Sequence, residues 1–275
     1  MWTLSGFADE IDPDFQVQAE VARDLDLDFI EVRSAWDIGV LDLTDAQLAS
    51  AKDILTDASL GVSSIGSPIG KILIDDDFEP HLDKMHRAIE VAHYLRSPYL
   101  RIFSFFVRPD LGTEQVREEV LRRLRALADI AEPAGVTLIH ENEKGIYGDV
   151  PQRCLDLVTA VDSPRLKLAW DPANFVQVGV APHSDGFDLL RPHLEYVQIK
   201  DARAEDGTVV PAGAGDGQLL ETIRALRDDG FQGFFSLEPH LESHSSQGGF
   251  SGQDLFRTAW QAFTDMLESE SITYA

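Results

Sequence analysis

Residues 4–10 read Leu4-Ser5-Gly6-Phe7-Ala8-Asp9-Glu10, a short apolar run that passes straight into two acids. In a dinucleotide-binding sheet the first strand turns through a G-x-G-x-x-G loop, whose glycines let a pyrophosphate approach the backbone. No such loop stands here. The distinction matters because the rest of the chain is a long alternation of strand and helix patterns. Two architectures share that alternation: an open, doubly wound sheet and a closed (β/α)8 barrel.

Working outward from the first run, Leu4–Ala8, further apolar or β-branched runs occur at Phe29–Arg33, Gly61–Gly66, Tyr99–Phe105, Val136–Glu141, Leu166–Asp171, Tyr196–Lys200 and Phe234–Glu238. Amphipathic stretches separate them at Gln16–Leu25, Asp45–Ala58, His81–Leu95, Thr113–Ala131, Pro151–Ala160, Leu219–Asp229 and Gln253–Leu267. The fourth shows helical spacing most clearly: Val116, Val120, Leu124, Leu127 and Ile130 recur every three or four residues. Its other face carries Arg117, Glu118, Arg122 and Arg123, which reads as solvated. Thr44 to Gln47 has the form of a capping box. After the sixth strand the pattern thins, with a short helix at Ser184–Leu190 preceded by a loop-like Gln177–Pro182. Eight units at about 34 residues each match a barrel of ~250 residues. With no Pro/Ser-rich linker and no low-complexity segment, residues 1–275 are expected to form one α/β domain, a (β/α)8 TIM barrel.

Charge narrows the partners. Lys and Arg number 23 against 48 Asp and Glu, a formal charge of −25. Nucleic acid binding requires basic patches that release counterions from phosphate, and an anionic membrane surface repels such a chain. Cys154 is the single cysteine, so neither an intrachain disulfide nor a cysteine-rich zinc site can form. Asp9, Glu10, Asp12 and Asp14 near the start do not suit a secretory leader. A soluble, reduced, cytoplasmic protein is expected, with a homo-oligomer open.

In a (β/α)8 barrel the chemistry gathers at the C-terminal ends of the strands. Those ends hold Glu141, Asp171, Gln198 with Lys200, and Glu238. Alternation along the strands turns Glu141 and Glu238 toward the barrel axis, and Gln198 shares a face with Lys200. Carboxylates crowded at such a mouth repel one another unless a cation relieves them. By spacing alone, a metal site and a chance gathering of solvated loop acids both fit.

Longer words at the same places carry more. Ile139-His140-Glu141-Asn142, Ala169-Trp170-Asp171-Pro172-Ala173-Asn174, Tyr196-Val197-Gln198-Ile199-Lys200-Asp201 and Ser236-Leu237-Glu238-Pro239-His240 occur in order. Ile30-Glu31-Val32-Arg33 and Ile65-Gly66-Ser67-Pro68-Ile69-Gly70-Lys71 precede them. Together they resemble the sugar phosphate isomerase/epimerase superfamily, the xylose isomerase-like TIM barrels, over nearly the whole chain. The resemblance implies one divalent metal, commonly Mn²⁺ (Mg²⁺ or Co²⁺ as alternatives), held by Glu141, Asp171, Gln198 and Glu238. The third position departs from the family's histidine. An amide oxygen is a neutral donor suited to Mn²⁺ or Mg²⁺ and weaker for softer metals.

The resemblance further implies that Glu141 and Glu238 exchange a proton next to the carbonyl of a small carbohydrate, giving isomerisation or epimerisation. Loss of a β-substituent from the same enediolate would make a lyase or dehydratase, and Gln198 leaves open a metal-free sugar-binding barrel. A zinc-dependent DNA repair enzyme on this fold needs several histidine ligands, which the charge and Gln198 both oppose. Arg33, Lys71, Lys200 and His240 are candidate substrate binders. Arg101 joins them as a basic residue, read as lying in mid-strand. Phe7 and Trp36 suit core packing or a sugar face. His140 is read as packing against a helix, and His81, His86 and His93 as solvated. The glycine-rich Gly213–Gly217 reads as a plain turn.

Overall fold

The computed structural model describes residues 1–242 and 248–275. Eight strands build one sheet: β1 (Thr3–Gly6), β2 (Phe29–Val32), β3 (Gly61–Ile65), β4 (Tyr99–Ile102), β5 (Thr137–Glu141), β6 (Leu166–Trp170), β7 (Leu194–Ile199) and β8 (Phe234–Leu237). All pair in parallel, in the spatial order β1-β8-β7-β6-β5-β4-β3-β2. The two ends of that order meet where Phe7, just past β1, bridges in parallel to Glu31 of β2. The result is a nearly closed TIM barrel. Among the described residues no helix is long and apolar enough to cross a membrane.

The enclosing helices are α1 (Phe15–Asp24), α2 (Asp45–Asp57), α3 (Glu79–Leu95), α4 (Thr113–Ala134), α5 (Pro151–Val161), α6 (Pro172–Gln177), α7 (Leu219–Asp228) and α8 (Gly252–Ser269). The expected capping box is present: Thr44 Oγ1 accepts from the Gln47 N–H while Gln47 Oε1 accepts from the Thr44 N–H. In α4, Val116, Val120, Leu124 and Leu127 are buried against the sheet. Its outer face is not uniformly solvated. Arg123 is buried, bound to Glu119 at 2.7 Å and to the Asp76 carbonyl at 2.8 Å. The thin sixth crossover is a run of short turns, His183–Phe187, Asp188–Leu190 and Arg191–His193. Buried Phe187 and Leu190 anchor it, with the Phe187 ring 5.9 Å from that of Trp170.

β4 ends three residues earlier than the apolar run suggests. Beyond Ile102 the chain leaves β5, and the amides of Phe103 and Phe105 donate to the carbonyls of Ile69 and Gly70. Arg101 therefore stands one residue from the strand end instead of in mid-strand. His81 is also corrected: it is buried on α3 and accepts a 2.7 Å hydrogen bond from the Gly70 N–H.

Inside the barrel, the lower layer is apolar. Ile139, Ala169 and Tyr196 pack with Tyr99 and Phe234. Above it the interior turns polar. Ser5 and Ser63 share a 2.6 Å hydrogen bond, Ser63 reaches Tyr196 Oη at 2.9 Å, and Tyr196 and Ser236 both donate to Glu31 Oε2 at 2.9 Å. A buried carboxyl on a polar floor thus lies beneath the barrel mouth.

Candidate active site

Strand ends set the four donors. Glu141 closes β5; Asp171 comes directly after β6, where its side chain caps α6 by accepting from the Asn174 N–H at 2.9 Å. Gln198 lies in β7, opposite Ser236 of β8, and Glu238 extends β8 by donating its N–H to the Ile199 carbonyl. All four are at most 2% exposed. One carboxylate oxygen from each of Glu141, Asp171 and Glu238 lies within 4.8 Å of the other two.

Three cations are interleaved with these acids. The Lys200 ammonium lies 2.6 Å from Asp171 Oδ2 and 3.0 Å from Glu238 Oε2. Arg101 Nη1 spans Glu141 Oε2 at 3.0 Å and Glu238 Oε1 at 3.4 Å. Arg33 binds Asp9 at 2.8 Å and Glu238 at 3.2 Å. His240 Nε2 sits 3.3 Å from both Glu10 Oε1 and Glu238 Oε1. Burial pushes the Glu238 carboxyl up, but Lys200, His240 and Arg101 outweigh it and hold the group well below the usual range. Burial, with Glu141 and Glu238 close by, pushes Asp171 up to about 7 against the pull of Lys200. For Lys200, burial works against the charge, while Asp171 and Glu238 keep the ammonium protonated well above its ordinary value.

Amides complete the arrangement. Gln198 Nε2 donates to Glu141 Oε2 at 3.0 Å, and Asn174 Nδ2 donates to Glu141 Oε1 at 3.1 Å. Asn142 clasps the backbone of Asp171, accepting from its N–H and donating to its carbonyl. Gln198 Oε1 is buried without a hydrogen-bond partner among the described residues. Three converging carboxylates and one unpartnered amide oxygen are a donor set that suits a hard divalent cation.

The structure thus brings Arg33, Lys200 and His240 against Glu238. Lys71 stands further out, with its ammonium 3.3 Å from Glu143 and 4.2 Å from the centre of the Phe103 ring. Phe7 is buried beneath the guanidiniums of Arg33 and Arg101, whose Cζ atoms lie 4.7 and 4.8 Å from its ring centre. Trp36 packs on Phe15. His140 is fully buried, and burial pushes it down to about 3. The Gly213–Gly217 turn folds around a carboxylate of the chain itself: the amides of Gly213 and Gly215 donate to Asp201 Oδ2 and that of Gly217 to Oδ1.

Strand-end reasoning passes over Asp9, Glu10, Glu31, Asn142 and Asn174. Glu31 carries a usable signal, being the lone acid of an apolar run and sharing strand parity with Arg33. Glu10 carries none that sets it apart from its acidic neighbours. It is found only in the fold, where its Oε2 accepts from the His240 N–H and from Ser251 Oγ.

Comparisons with known proteins agree with this fold. Residues 19–259 match a family model described as xylose isomerase-like TIM barrel. A 3-dehydroshikimate dehydratase of Bacillus anthracis is 24% identical over 152 residues, covering 55% of this chain and 54% of that protein. A 2-epi-5-epi-valiolone 7-phosphate 2-epimerase of an Actinoplanes species is 32% identical over 104 residues, 38% of this chain and 37% of that one. The chain therefore spans about half or less of the length of these curated relatives. Among solved structures, a xylose isomerase-like TIM barrel protein from Mycobacterium smegmatis in complex with magnesium superposes with a TM-score of 0.69 at 21% identity, over 97% of each chain. The named relatives are enzymes, an epimerase and a dehydratase. With the barrel, the strand-end acids and the family match over most of its length, this chain belongs to the xylose isomerase-like TIM barrel family.

Proposed function

We propose that the barrel mouth is the active site of a divalent-metal-dependent isomerase or epimerase acting on a small sugar or sugar derivative. The observation that carries this reading is the convergence of Glu141, Asp171 and Glu238, with Gln198 bound to Glu141 through Nε2 and its buried Oε1 unpartnered among the described residues. These four residues would hold the cation, with Mn²⁺ ahead of Mg²⁺ or Co²⁺ for an all-oxygen set. Such an ion, when bound, polarises the substrate carbonyl and steadies the charge that develops on its oxygen.

The protein's own groups move the protons. Glu238 is kept ionised by Lys200, His240 and Arg101, so its carboxylate is ready to accept the proton next to the carbonyl. Glu141, three strands away around the barrel, delivers a proton from another side. Delivery to the neighbouring carbon gives isomerisation, and delivery to the opposite face of the same carbon gives epimerisation. Arg101, bound to both glutamates, fixes their separation. Lys200 favours a second reading. Its buried ammonium, bridging Asp171 and Glu238, could protonate a departing β-hydroxyl, and the Bacillus relative is named as a dehydratase.

Metal analysis after dialysis, together with solvent deuterium incorporation into a panel of ketoses and inososes, tests the proposal. One equivalent of metal is expected, with exchange abolished in Glu238→Gln and the fold retained. A protein that binds no metal, shows no thermal shift with Mn²⁺ and exchanges no deuterium would instead be a metal-free sugar-binding barrel.

A further inference from the structure

Beside the carboxylate cluster lies a partly open cavity of about 70 Å³ whose lining includes Arg33, Gly66, Pro68, Lys71 and Arg101, with one wall formed by residues 39–42. Its charged lining is three cations and one acid, Asp42, in a chain with twice as many acids as bases. Arg33 and Arg101 are 6% and 4% exposed. Both stack over the Phe7 ring, and Arg101 and Lys71 share the ring of Phe103. Like charges gathered around two aromatic rings repel; Arg33 has a partner at each of its nitrogens, in Asp9, Glu238 and the Gly249 carbonyl, whereas Arg101 and Lys71 keep spare capacity. Arg101 meets Glu141 and Glu238 through Nη1 alone, and its Nε is buried without a partner among the described residues. Among the described residues the Lys71 ammonium has one hydrogen-bond partner, Glu143 at 3.3 Å, and keeps further donors.

From this we infer that the substrate carries an anionic group, a carboxylate or a phosphate, seated in the cavity between Arg33, Lys71 and Arg101. The inference rests on the proposed function for the reacting end of the molecule. Planar guanidiniums present paired donors that match either anion, and a lysine adds a mobile charge. Arg101 ties the two ends together. One of its nitrogens holds both proton-transferring glutamates, while the residue also lines the cavity, so the anionic group sits within a few bonds of the reacting carbon.

Titration calorimetry of the full chain with Mg²⁺, using D-fructose, D-fructose 6-phosphate and quinate, tests this. An anionic ligand is expected to bind about tenfold or more tightly than D-fructose, as charge-assisted hydrogen bonds imply. That preference should shrink as ionic strength rises from about 0.05 to about 0.5 M. Lys71→Met should reduce it to about threefold or less, and Lys71→Arg should retain it. A preference for quinate assigns a carboxylate, and one for the phosphate ester assigns a phosphate. Equal binding of all three, or a preference untouched by Lys71→Met and by salt, overturns the inference. If none binds while Mg²⁺ does, the anion site falls alone. If Mg²⁺ does not bind either, the functional reading falls with it.

Discussion

Glu31→Gln isolates the one buried acid of the barrel floor that touches no proposed ligand. Glu31 is fully buried, with Oε2 accepting from Tyr196 and Ser236 and Oε1 without a partner among the described residues. Burial, only partly offset by Arg101, pushes its carboxyl from 4.5 to about 7. A folded-state value above the unfolded one means that its contribution to stability is complete below about pH 4.5 and is lost as pH rises through about 7. At about 1.4 kcal/mol per pH unit of difference, the full loss is about 3 kcal/mol, most of it falling between pH 5 and 8. Glutamine keeps an acceptor for both hydroxyls and has no charge to desolvate. Its NH₂ finds no acceptor in place of Oε1, a cost of roughly 1–3 kcal/mol that does not vary with pH. The diagnostic quantity is therefore the slope. In denaturant unfolding at pH 5, 6, 7 and 8, the variant should gain about 2–3 kcal/mol on the parent across the range, roughly 4–12 °C in Tm. Glu10 and Asp171 remain in both proteins, so their titration largely cancels in the difference. A stability gap that stays constant from pH 5 to 8 would refute the burial argument.

Three other substitutions probe the mouth itself. Lys200→Met leaves Asp171 and Glu238 without their shared ammonium, at a cost of about 3–5 kcal/mol in urea unfolding, and added Mg²⁺ should recover part of it. A cost under about 1 kcal/mol would mean that the ion pairs contribute little. Gly215→Ala places a methyl 2.6 Å from the Ala202 carbonyl and against Asp201 Oδ1, so thermal unfolding should show a loss of roughly 1–3 kcal/mol; an unchanged Tm would mean the turn moves freely off Asp201. Gln198→His should favour Zn²⁺ or Co²⁺ over Mg²⁺ by about tenfold in chelator competition, the scale of a change at a metal site. Unchanged selectivity would take Gln198 out of the ligand set.

The barrel is legible because strand and helix periods differ and eight alternations leave few topologies. What the pattern cannot show is where each ladder stops. An apolar residue that keeps pairing and one that has turned onto a neighbouring loop look alike in sequence. Tyr99–Phe105 therefore reads as one strand with Arg101 at its middle, although the ladder ends at Ile102. Glu141, Asp171, Gln198 and Glu238 are visible because a strand end is a position as well as a residue type. Partnerships across the barrel are not, since Glu10 meets His240 from 230 residues away and Arg33 meets Glu238 from 205. Polar residues on helices mislead for a related reason. His81 and Arg123 fall at core spacing, four residues before Met85 and between Val120 and Leu127, but their side chains read as solvated; each is buried with a polar atom bound to a loop amide or carbonyl.

The charge pattern of the mouth links its stability to its chemistry. Glu238 contacts Arg33, Arg101, Lys200 and His240, and through them meets Asp9, Glu141, Asp171 and Glu10. Five buried carboxylates in this linked set face three fixed cations, so two formal negative charges are left over when His240 is neutral. Protons can relieve that surplus, which is why Asp171 and Glu10 are pushed up by burial while Glu238, ringed by cations, stays ionised. The surplus equals the charge of a single divalent ion. The same imbalance that strains the carboxylate cluster would therefore supply the attraction for the ion, and acidification, by filling the surplus with protons, would work against its binding.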